Sequence, residues 1–351
     1  MKKIWFLSLF IFLVACGGYR PKKGEVELKL EKKMDLPLEE SEHPRLSIAL
    51  SPSGEIYFSG PDTGVWKLTS SGEKKEILKP GLLNYVPSLY FSSGCFWATT
   101  PRQVVKMCPG EPARKGVLDR FYERVVPTKE GHLLGSYLEL KEGKPLKKLV
   151  LIGDKDHPEK LLAQSAKPGT LIIKSPQGLS AISVPEIIPT LLWTYSPLTD
   201  HIIAGESDHY SLKILNLNGK VLREFHFDIP EPDFPLEERR KIAPMFLIWK
   251  PVNRERTLEL IAEKLPPKLP VLKKIIALPS GLILIEVNEA PGKSHFDVLS
   301  EKGNYLYKFY LPQGFSLIKV LRNGWLVLRK GKKFAIYLPR NLRSVFQPPS
   351  L

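Results

Sequence analysis

Carboxylate, amide and imidazole side chains gather at two points of the sequence, and these residue types could hold a metal ion. Glu206, Asp208 and His209 lie close together, and Asn288 and Glu289 are adjacent further along the chain. Their oxygen atoms are the ligands that calcium prefers, in sets of six to eight. These five residues are therefore candidate ligand-binding residues, and those with oxygen donors are possible calcium ligands. The alternative interpretation is that they are solvated loop charges.

Other catalytic chemistry receives no local support. The chain has seven histidines, of which only His201 and His209 lie near one another, and none has the spacing of a zinc-binding helix. No Gly-x-Ser-x-Gly elbow and no phosphate-cradling glycine-rich loop is present in the sequence. No catalytic residue is therefore predicted, and no cofactor beyond the calcium hypothesis.

The elements that must position these residues are strands. Short runs of alternating apolar and polar residues, rich in Val, Ile, Tyr, Phe and Trp, are bounded by turn residues throughout. The chain contains 32 prolines and 25 glycines, and long amphipathic helices are nearly absent. This pattern predicts antiparallel strands.

The turns recur with a period. Similar turns follow a strand about 40 residues apart, with two longer steps, and each unit has room for four strands. The two longer steps contain extra segments at roughly 164–190 and 229–270. The turns in question are Ser53-Gly54, Ser93-Gly94, Glu130-Gly131, Thr199-Asp200, Ser280-Gly281 and Asn323-Gly324.

Units of this kind, such as residues 48–58, 211–220 and 296–303, resemble the six-bladed β-propellers of the NHL and TolB-like families. The resemblance implies an all-β propeller of six four-stranded blades. Seven blades remain an alternative, because residues 170–183 contain two further strands around a Pro176-Gln177-Gly178 turn. The fold implies no function, since propellers host enzymes, receptors and scaffolds alike.

The ends of the chain suggest how the ring closes. The last unit offers three strands, and residues 25–33 alternate without belonging to a unit of their own. We expect this N-terminal strand to become the outer strand of the last blade, which would protect an exposed sheet edge.

The insertion near 229–270 is the longest interruption of the repeat. Residues 235–242 could open a helix with acidic residues in its first turn, and Trp249 lies further along. Long connections are often functional, and Trp249 is a candidate for a partner contact. The alternatives are that the insertion only packs across a channel mouth as a lid, and that Trp249 packs in a core.

The N-terminus resembles an export signal. Lys2 and Lys3 precede an apolar run from residue 4 to residue 15, the layout of a secretory signal. A transmembrane helix needs about 20 apolar residues, so this run is too short for a permanent anchor. Residues 1–15 are therefore predicted to be a signal peptide.

Leu13-Val14-Ala15-Cys16 resembles the bacterial lipobox. The resemblance implies a lipoprotein whose Cys16 carries acyl chains and becomes the first mature residue, held on a membrane without a transmembrane span. Gly17 in place of aspartate implies the periplasmic face of the outer membrane in a two-membrane organism, and otherwise the cell surface. An ordinary signal peptide is the alternative. The expected organisation is residues 16–24 as tether, 25–340 as propeller and 341–351 as C-terminal tail.

Cys95 and Cys108 remain as an even pair in an oxidising compartment. Residues 100–103 have the composition of a tight turn with proline second, and a hairpin around it places residue 95 opposite residue 108. Opposed residues on antiparallel strands have Cβ atoms about 4.5–5.5 Å apart, a little longer than an unstrained disulfide prefers. We therefore predict a Cys95–Cys108 bond, with two free thiols as the alternative.

The formal net charge of +15 favours acidic partners. No nucleic-acid motif accompanies it, so no nucleic-acid partner is predicted. Arg20, Lys22 and Lys23 lie beside the lipid site and could contact anionic head groups, whereas the scattered remainder is best interpreted as solvated surface.

Two functions of different class remain open. The first is a monomeric, lipid-anchored envelope module that binds or scaffolds a protein, peptide or glycan partner. The alternative is a metal-dependent hydrolase or lyase with its site in the channel, so the enzyme question stays open. Three or more converging carboxylates would favour the enzyme, and a basic or apolar channel mouth would favour recognition.

Overall fold

Six sheets of four antiparallel strands follow one another in a ring and form a β-propeller. The computed structural model describes residues 25–36, 46–59, 64–69, 73–142, 144–153, 157–175, 178–184, 186–247 and 253–347, without the side chains of 172–175 and 178–183. The predicted six-bladed all-β fold is confirmed. The seven-bladed alternative is wrong, because residues 170–183 form a separate two-stranded hairpin.

Strands are numbered in chain order, and each blade is given from the channel outward. β1 (Glu25–Glu27) and β2 (Leu30–Asp35) precede the first blade. Blade 1 consists of β3 (Ser47–Leu50), β4 (Ile56–Ser59), β5 (Val65–Leu68) and β6 (Lys74–Leu78). Blade 2 consists of β7 (Ser88–Ser92), β8 (Cys95–Thr99), β9 (Gln103–Met107) and β10 (Arg114–Val117). Blade 3 consists of β11 (Arg124–Pro127), β12 (Leu133–Lys141), β13 (Lys144–Leu151) and β14 (Lys160–Ser165).

The hairpin β15 (Thr170–Ser175) and β16 (Gly178–Ser183) separates blade 3 from blade 4. Blade 4 consists of β17 (Leu191–Ser196), β18 (His201–Glu206), β19 (Tyr210–Leu215) and β20 (Val221–Phe227). Blade 5 consists of β21 (Leu272–Ala277), β22 (Ile283–Ala290), β23 (Lys293–Leu299) and β24 (Tyr305–Tyr310). Blade 6 consists of β25 (Phe315–Val320), β26 (Leu326–Lys330), β27 (Lys333–Pro339) and the early strand β2.

The turn between the first and second strands is the most regular part of the repeat. In every blade it contains a residue with positive φ, a conformation that favours glycine and tolerates aspartate. The six residues, at the turns that the sequence period marks, are Gly54, Gly94, Gly131, Asp200, Gly281 and Gly324.

The ring is closed by both ends of the chain, but in two blades. β2 pairs antiparallel with β27 and completes blade 6, as the sequence predicts. β1 departs from the prediction, because it pairs in parallel with β24 as a fifth strand of blade 5. The chain therefore crosses between two blades within a few residues, and Asn341 holds the crossing by accepting from the Lys29 amide (2.9 Å).

The C-terminal residues are part of this closure. The expected tail begins with a 3-10 turn (Arg340–Leu342) and a short helix, α3 (Arg343–Phe346), which packs on blades 5 and 6. Phe346 is fully buried, and a Cβ on Gly324 would lie 2.6 Å from its backbone. The tail is thus an integral part of the core as far as residue 346.

The Cys95–Cys108 disulfide is present, as predicted. β8 and β9 pair Thr99 with Val104 and Trp97 with Lys106, the register that the tight turn predicts. The Thr100 amide closes the turn by donating to the Gln103 carbonyl (2.8 Å). The two cysteine Cα atoms are 4.3 Å apart.

The two long insertions pack together into one structure, which we call the cap. It comprises the described residues within 166–190 and 228–271, with α1 (Leu236–Ile242), a 3-10 turn (Ala243–Phe246) and α2 (Arg254–Lys264). Leu171 and Ile187 of the first insertion share a hydrophobic cluster with Phe246 and Ile261 of the second. Among the described residues, no helix is both long and apolar enough to cross a membrane.

The strand order fixes where the cap lies. Because each blade is antiparallel and runs from the channel outward, all connections between blades lie at one end of the ring. The turns between second and third strands lie at the same end. We call this end the cap face, and it carries the candidate loop residues 206–209 and 288–289.

The docking of the C-terminal helix predicts a large effect of one truncation. Replacing Phe346 by alanine leaves a cavity between blades 5 and 6, so Phe346→Ala should lower the free energy of unfolding by about 3–4 kcal/mol in chemical denaturation. Phe121→Ala is the matched control, because Phe121 is exposed. Equal effects of the two substitutions would show that residues 343–346 do not belong to the core.

Candidate functional site

A cavity of about 720 Å³ runs along the axis of the propeller. Side chains from the first strands of all six blades line it, including Ser47, Tyr90, Trp193 and Ile275. Sheets hold these strands in place, so the lining side chains have fixed positions. The channel therefore has the rigid scaffold that a binding site needs.

The described lining of the channel is basic. Two carboxylates, Glu186 and Glu286, face five cationic side chains, and Glu286 is already paired with one of these, Lys273 (2.7 Å). The lining thus has an excess of positive charge. The five cationic side chains are Arg124, Lys273, Lys274, Lys319 and Arg329.

Lys319, on the first strand of blade 6, links three blades. Its ammonium group donates to the carbonyls of Ile48 in blade 1 (2.7 Å) and Leu89 in blade 2 (3.0 Å). It also lies 5.1 Å from the ring centre of Tyr90. Burial, with the charges of Arg124 and Lys274, lowers the pKa of Lys319 to about 7. The Lys319 amine therefore loses its proton at a much lower pH than an ordinary lysine does.

Lys274 and Arg124 make similar contacts from other blades. Lys274 in blade 5 donates to the carbonyls of Leu317 (3.1 Å) and Ile318 (3.0 Å) in blade 6. Burial lowers its pKa, although the nearby Glu286 opposes this. Arg124 in blade 3 donates to the Trp193 carbonyl in blade 4 (2.8 Å) and lies 4.8 Å from the Trp193 ring centre. All three cations thus reach the inner strand of a neighbouring blade.

The cap reaches the channel through Glu186. This residue lines the channel and lies in the connection from β16 to β17, next to Ile187 and Ile188 of the cap cluster. The cap therefore borders the mouth of the channel on the cap face. The sequence indicates an insertion here but does not reveal that two insertions combine.

Glu206 and Asp208 already have a cationic neighbour. Lys167 donates to Glu206 (3.0 Å) and to Asp208, and Ser165 donates to Glu206 (2.5 Å). Burial opposes ionisation of Glu206, but these hydrogen bonds outweigh it and lower the pKa of Glu206. Any metal ion bound here would have to compete with the Lys167 ammonium group.

The structure adds Glu231 to this loop cluster. Ligand atoms of Asp208, His209 and Glu231 lie within 4.8 Å of one another, the one such group among the described residues. Asp208 Oδ1 is buried and has no hydrogen-bond partner. A set of one imidazole and two carboxylates suits a transition metal better than calcium. Metal binding at these residues stays a prediction.

Asn288 and Glu289 have separate partners. The Asn288 side chain donates to the Pro270 carbonyl (2.8 Å) and so fixes the return of the insertion to blade 5. Glu289 accepts from Tyr310 (2.6 Å) and lies 2.9 Å from Lys293. Neither belongs to the group around Asp208, so within the described chain the two predicted sets do not share one metal site.

A buried polar cluster in blade 5 was not predicted. His295 lies between two carboxylates, 2.9 Å from Glu289 and 3.2 Å from Asp297. Tyr210 of blade 4 donates to Asp297 (3.0 Å), as does Tyr305 (2.9 Å). The signal in the sequence is the alternation of His295 and Asp297, which places both on one face of β23. Since Asp297 is buried between blades, we interpret this cluster as a polar link within the scaffold.

Several predicted features lie outside the described part of the chain, namely Trp249, the signal peptide (residues 1–15), the lipidation residue Cys16 and the tether (residues 16–24) with Arg20, Lys22 and Lys23. Their roles stay predictions. The basic channel residues Arg124, Lys274 and Lys319 were missed for a different reason: a lone cation in a strand is usually interpreted as solvent-facing.

The comparisons with known proteins show no family. No family description and no curated protein matches the chain. Among solved structures, a streptogramin B lyase is 12% identical with a TM-score of 0.46, covering 89% of this chain and 97% of the other. A catalytically inactive virginiamycin B lyase from Staphylococcus aureus with quinupristin is 12% identical with a TM-score of 0.47, covering 89% of this chain and 99% of the other. The Cps50 (Swd1) propeller domain of Myceliophteria thermophila is 10% identical with a TM-score of 0.41, covering 84% of this chain and 82% of the other. Similarities this distant do not assign a function to this chain.

The position of Lys319 predicts a pH-dependent stability. Its folded-state pKa, about 7, lies below the ordinary 10.5. Between pH 7 and pH 10.5 the unfolded chain therefore keeps a proton on Lys319 that the folded chain has released. Wild-type stability gains from this release as the pH rises above 7. Lys319→Met removes this gain. The free energy of unfolding of the variant minus that of the wild type should therefore be about 2–3 kcal/mol higher at pH 6 than at pH 9.

Chemical denaturation at the two pH values measures this difference. Lys213→Met is the matched control, because Lys213 is exposed on blade 4. Its difference from wild type should be the same at both pH values. A Lys319→Met difference that is also unchanged would mean that Lys319 does not release its proton in this range.

Proposed function

We propose that this protein is a lipid-anchored binding module of the bacterial cell envelope, which recognises a protein, peptide or glycan partner on its cap face. A propeller offers a rigid ring whose loops can be specialised for binding. The observation that carries the proposal is the cap, because two separate insertions fold together beside the mouth of a basic channel.

The cap exposes two large apolar side chains. Met245 is 76% exposed and Leu260 is 41% exposed, and both lie on the helical insertion. Exposed apolar side chains can take part in partner binding where they form one patch, and we propose that Met245 and Leu260 do so on the cap. The cap interior is filled by its own hydrophobic cluster, so these outer side chains are not needed to hold it together.

The anchor belongs to the same proposal. Cys16 lies nine residues before β1, and an extended chain of that length reaches about 30 Å. Acyl chains on Cys16 would therefore keep the propeller within a short distance of a bilayer, where envelope partners are found. The support for this step is the lipobox-like sequence alone.

The anchor is tested by changing its nucleophile. Cys16→Ser cannot accept a diacylglycerol, so the protein should move from the membrane fraction to the soluble fraction of the envelope, measured by fractionation and immunoblotting. The wild-type chain should also incorporate labelled fatty acid, and the variant should not. Lipidation would be contradicted if the wild type incorporated no labelled fatty acid and Cys16→Ser stayed in the membrane fraction.

The partner surface is tested with the double variant Met245→Asp/Leu260→Asp. Two new carboxylates on the cap should abolish capture of the main partner from envelope extracts, because burying a charged carboxylate in an interface costs free energy. Val221→Asp is the control, since Val221 is similarly exposed on the outer strand of blade 4. Capture that is unaffected by the cap variant, or equally lost in the control, would contradict recognition through the cap.

The alternative, a metal-dependent hydrolase or lyase, depends on one observation, the group of Asp208, His209 and Glu231. Metal analysis after purification without chelator tests it. One equivalent of bound metal that is lost in Asp208→Asn would favour the enzyme. The described channel lining favours recognition, because its cations outnumber its carboxylates.

A further inference from the structure

We propose that the channel contains a binding site for one phosphate group, with Arg124, Lys274 and Lys319 as its cationic donors. The inference rests on the proposed function in that the phosphate would be carried by the bound partner. It adds a position, a ligand chemistry and a set of residues that the cap alone does not supply.

The three cations come from three blades and converge. Arg124, Lys274 and Lys319 lie on the first strands of blades 3, 5 and 6 and line one cavity. Each is close enough to influence another, since Arg124 and Lys274 both disfavour the charge on Lys319, and Arg124 disfavours that on Lys274. Like charges that approach from different sides define a point of high positive potential between them.

Their protein contacts do not neutralise them. Lys274 and Lys319 each donate to two backbone carbonyls, and Arg124 donates to one. Carbonyls are neutral, so these contacts bring no negative charge to the three side chains. An ammonium group has three donors and a guanidinium group has five, which leaves donors free on all three side chains.

Two described carboxylates, Glu286 and Glu186, favour the charge on Lys274, but Glu286 is paired with other side chains and Glu186 lies toward the channel mouth. Glu286 lies 2.7 Å from Lys273 and accepts from Ser294 (2.9 Å). Glu186 lies at the cap side of the cavity. A ligand with its own negative charge would therefore complete the centre of the channel.

The arrangement fits phosphate better than carboxylate. Three donors that approach from different sides match a group with three outward oxygens, whereas a carboxylate offers two oxygens in a plane. The ring of Trp193 lies against the Arg124 guanidinium and restrains its orientation. The cavity is also accessible, since Lys274 and Lys319 retain partial solvent exposure in spite of their depth.

The test measures binding of small anions to the purified soluble domain at low ionic strength. Inorganic phosphate should bind with one site per chain in calorimetry, and acetate should bind at least tenfold more weakly. Lys274→Met and Lys319→Met should each weaken phosphate at least tenfold. Lys213→Met, outside the channel, should leave it unchanged. Thermal melts and circular dichroism confirm that the variants are folded, and Lys274→Arg, which keeps the charge, should retain most of the binding.

A pH series with sulfate gives a second, independent readout, because sulfate itself does not titrate in the range used. Sulfate binding should weaken severalfold between pH 6 and pH 8.5 in the wild type, as Lys319 loses its proton. The groups that face Lys319 are Tyr90 of β7, Arg124 of β11 and Lys274 of β21. The series in Lys319→Met should be flat.

The outcomes separate this inference from the proposed function. Phosphate that does not bind, binds no better than acetate, or binds equally to Lys213→Met and Lys319→Met would overturn the channel site. Partner capture through the cap would be unaffected by that result. Conversely, a cap variant that still captures its partner would overturn the proposed surface and leave the anion measurements standing.

Discussion

The inner edge of each blade imposes the constraint on which the rest of this molecule depends. In a propeller, the first strand of every sheet has neighbours on one side only, so its other edge faces the channel. Backbone carbonyls there must find donors or remain solvated. In this protein, long basic side chains meet that need by reaching from one blade to the next. Lys319 alone contacts carbonyls of two other blades.

Ring closure is the second constraint, and it explains the behaviour of both chain ends. A propeller with an unpaired last blade would expose a full sheet edge. Here β2 covers that edge, β1 extends the neighbouring sheet, and Asn341 holds the crossing between them. The C-terminal helix then buries Phe346 where the two blades meet. Six separate sheets become one closed structure because the ends are fixed together.

Features set by local geometry could be predicted from the sequence. The Cys95–Cys108 pairing follows from a four-residue turn, because a tight turn fixes the register of the strands beside it. The recurring turn with a positive-φ residue marks the six blades for a similar reason. The first helix of the insertion was also correctly indicated, with Glu237 and Glu238 in its first turn.

Features set by distant contacts could not be predicted. The alternation of residues 25–33 is the same whichever blade they join, so the departure of β1 to blade 5 leaves no local trace. The two insertions are separated by a whole blade, and their shared cluster depends on its placement. Lys274 and Lys319 look like solvent-facing lysines until the ring brings their strands around one axis. Glu231 joins Asp208 and His209 only because the insertion folds back over blade 4.

The basic donors of the channel carry a cost that neutral donors would avoid. Neutral side chains can satisfy buried carbonyls, as Asn288 does for Pro270. If pairing the inner carbonyls were the only requirement, neutral donors would meet it without mutual repulsion. The three cations instead oppose one another's charge, and burial adds to the cost. That cost is offset if an anion enters the channel, and the same repulsion then becomes attraction toward the ligand. Under the proposed function, a basic channel beside the cap would suit a partner that carries a negatively charged group.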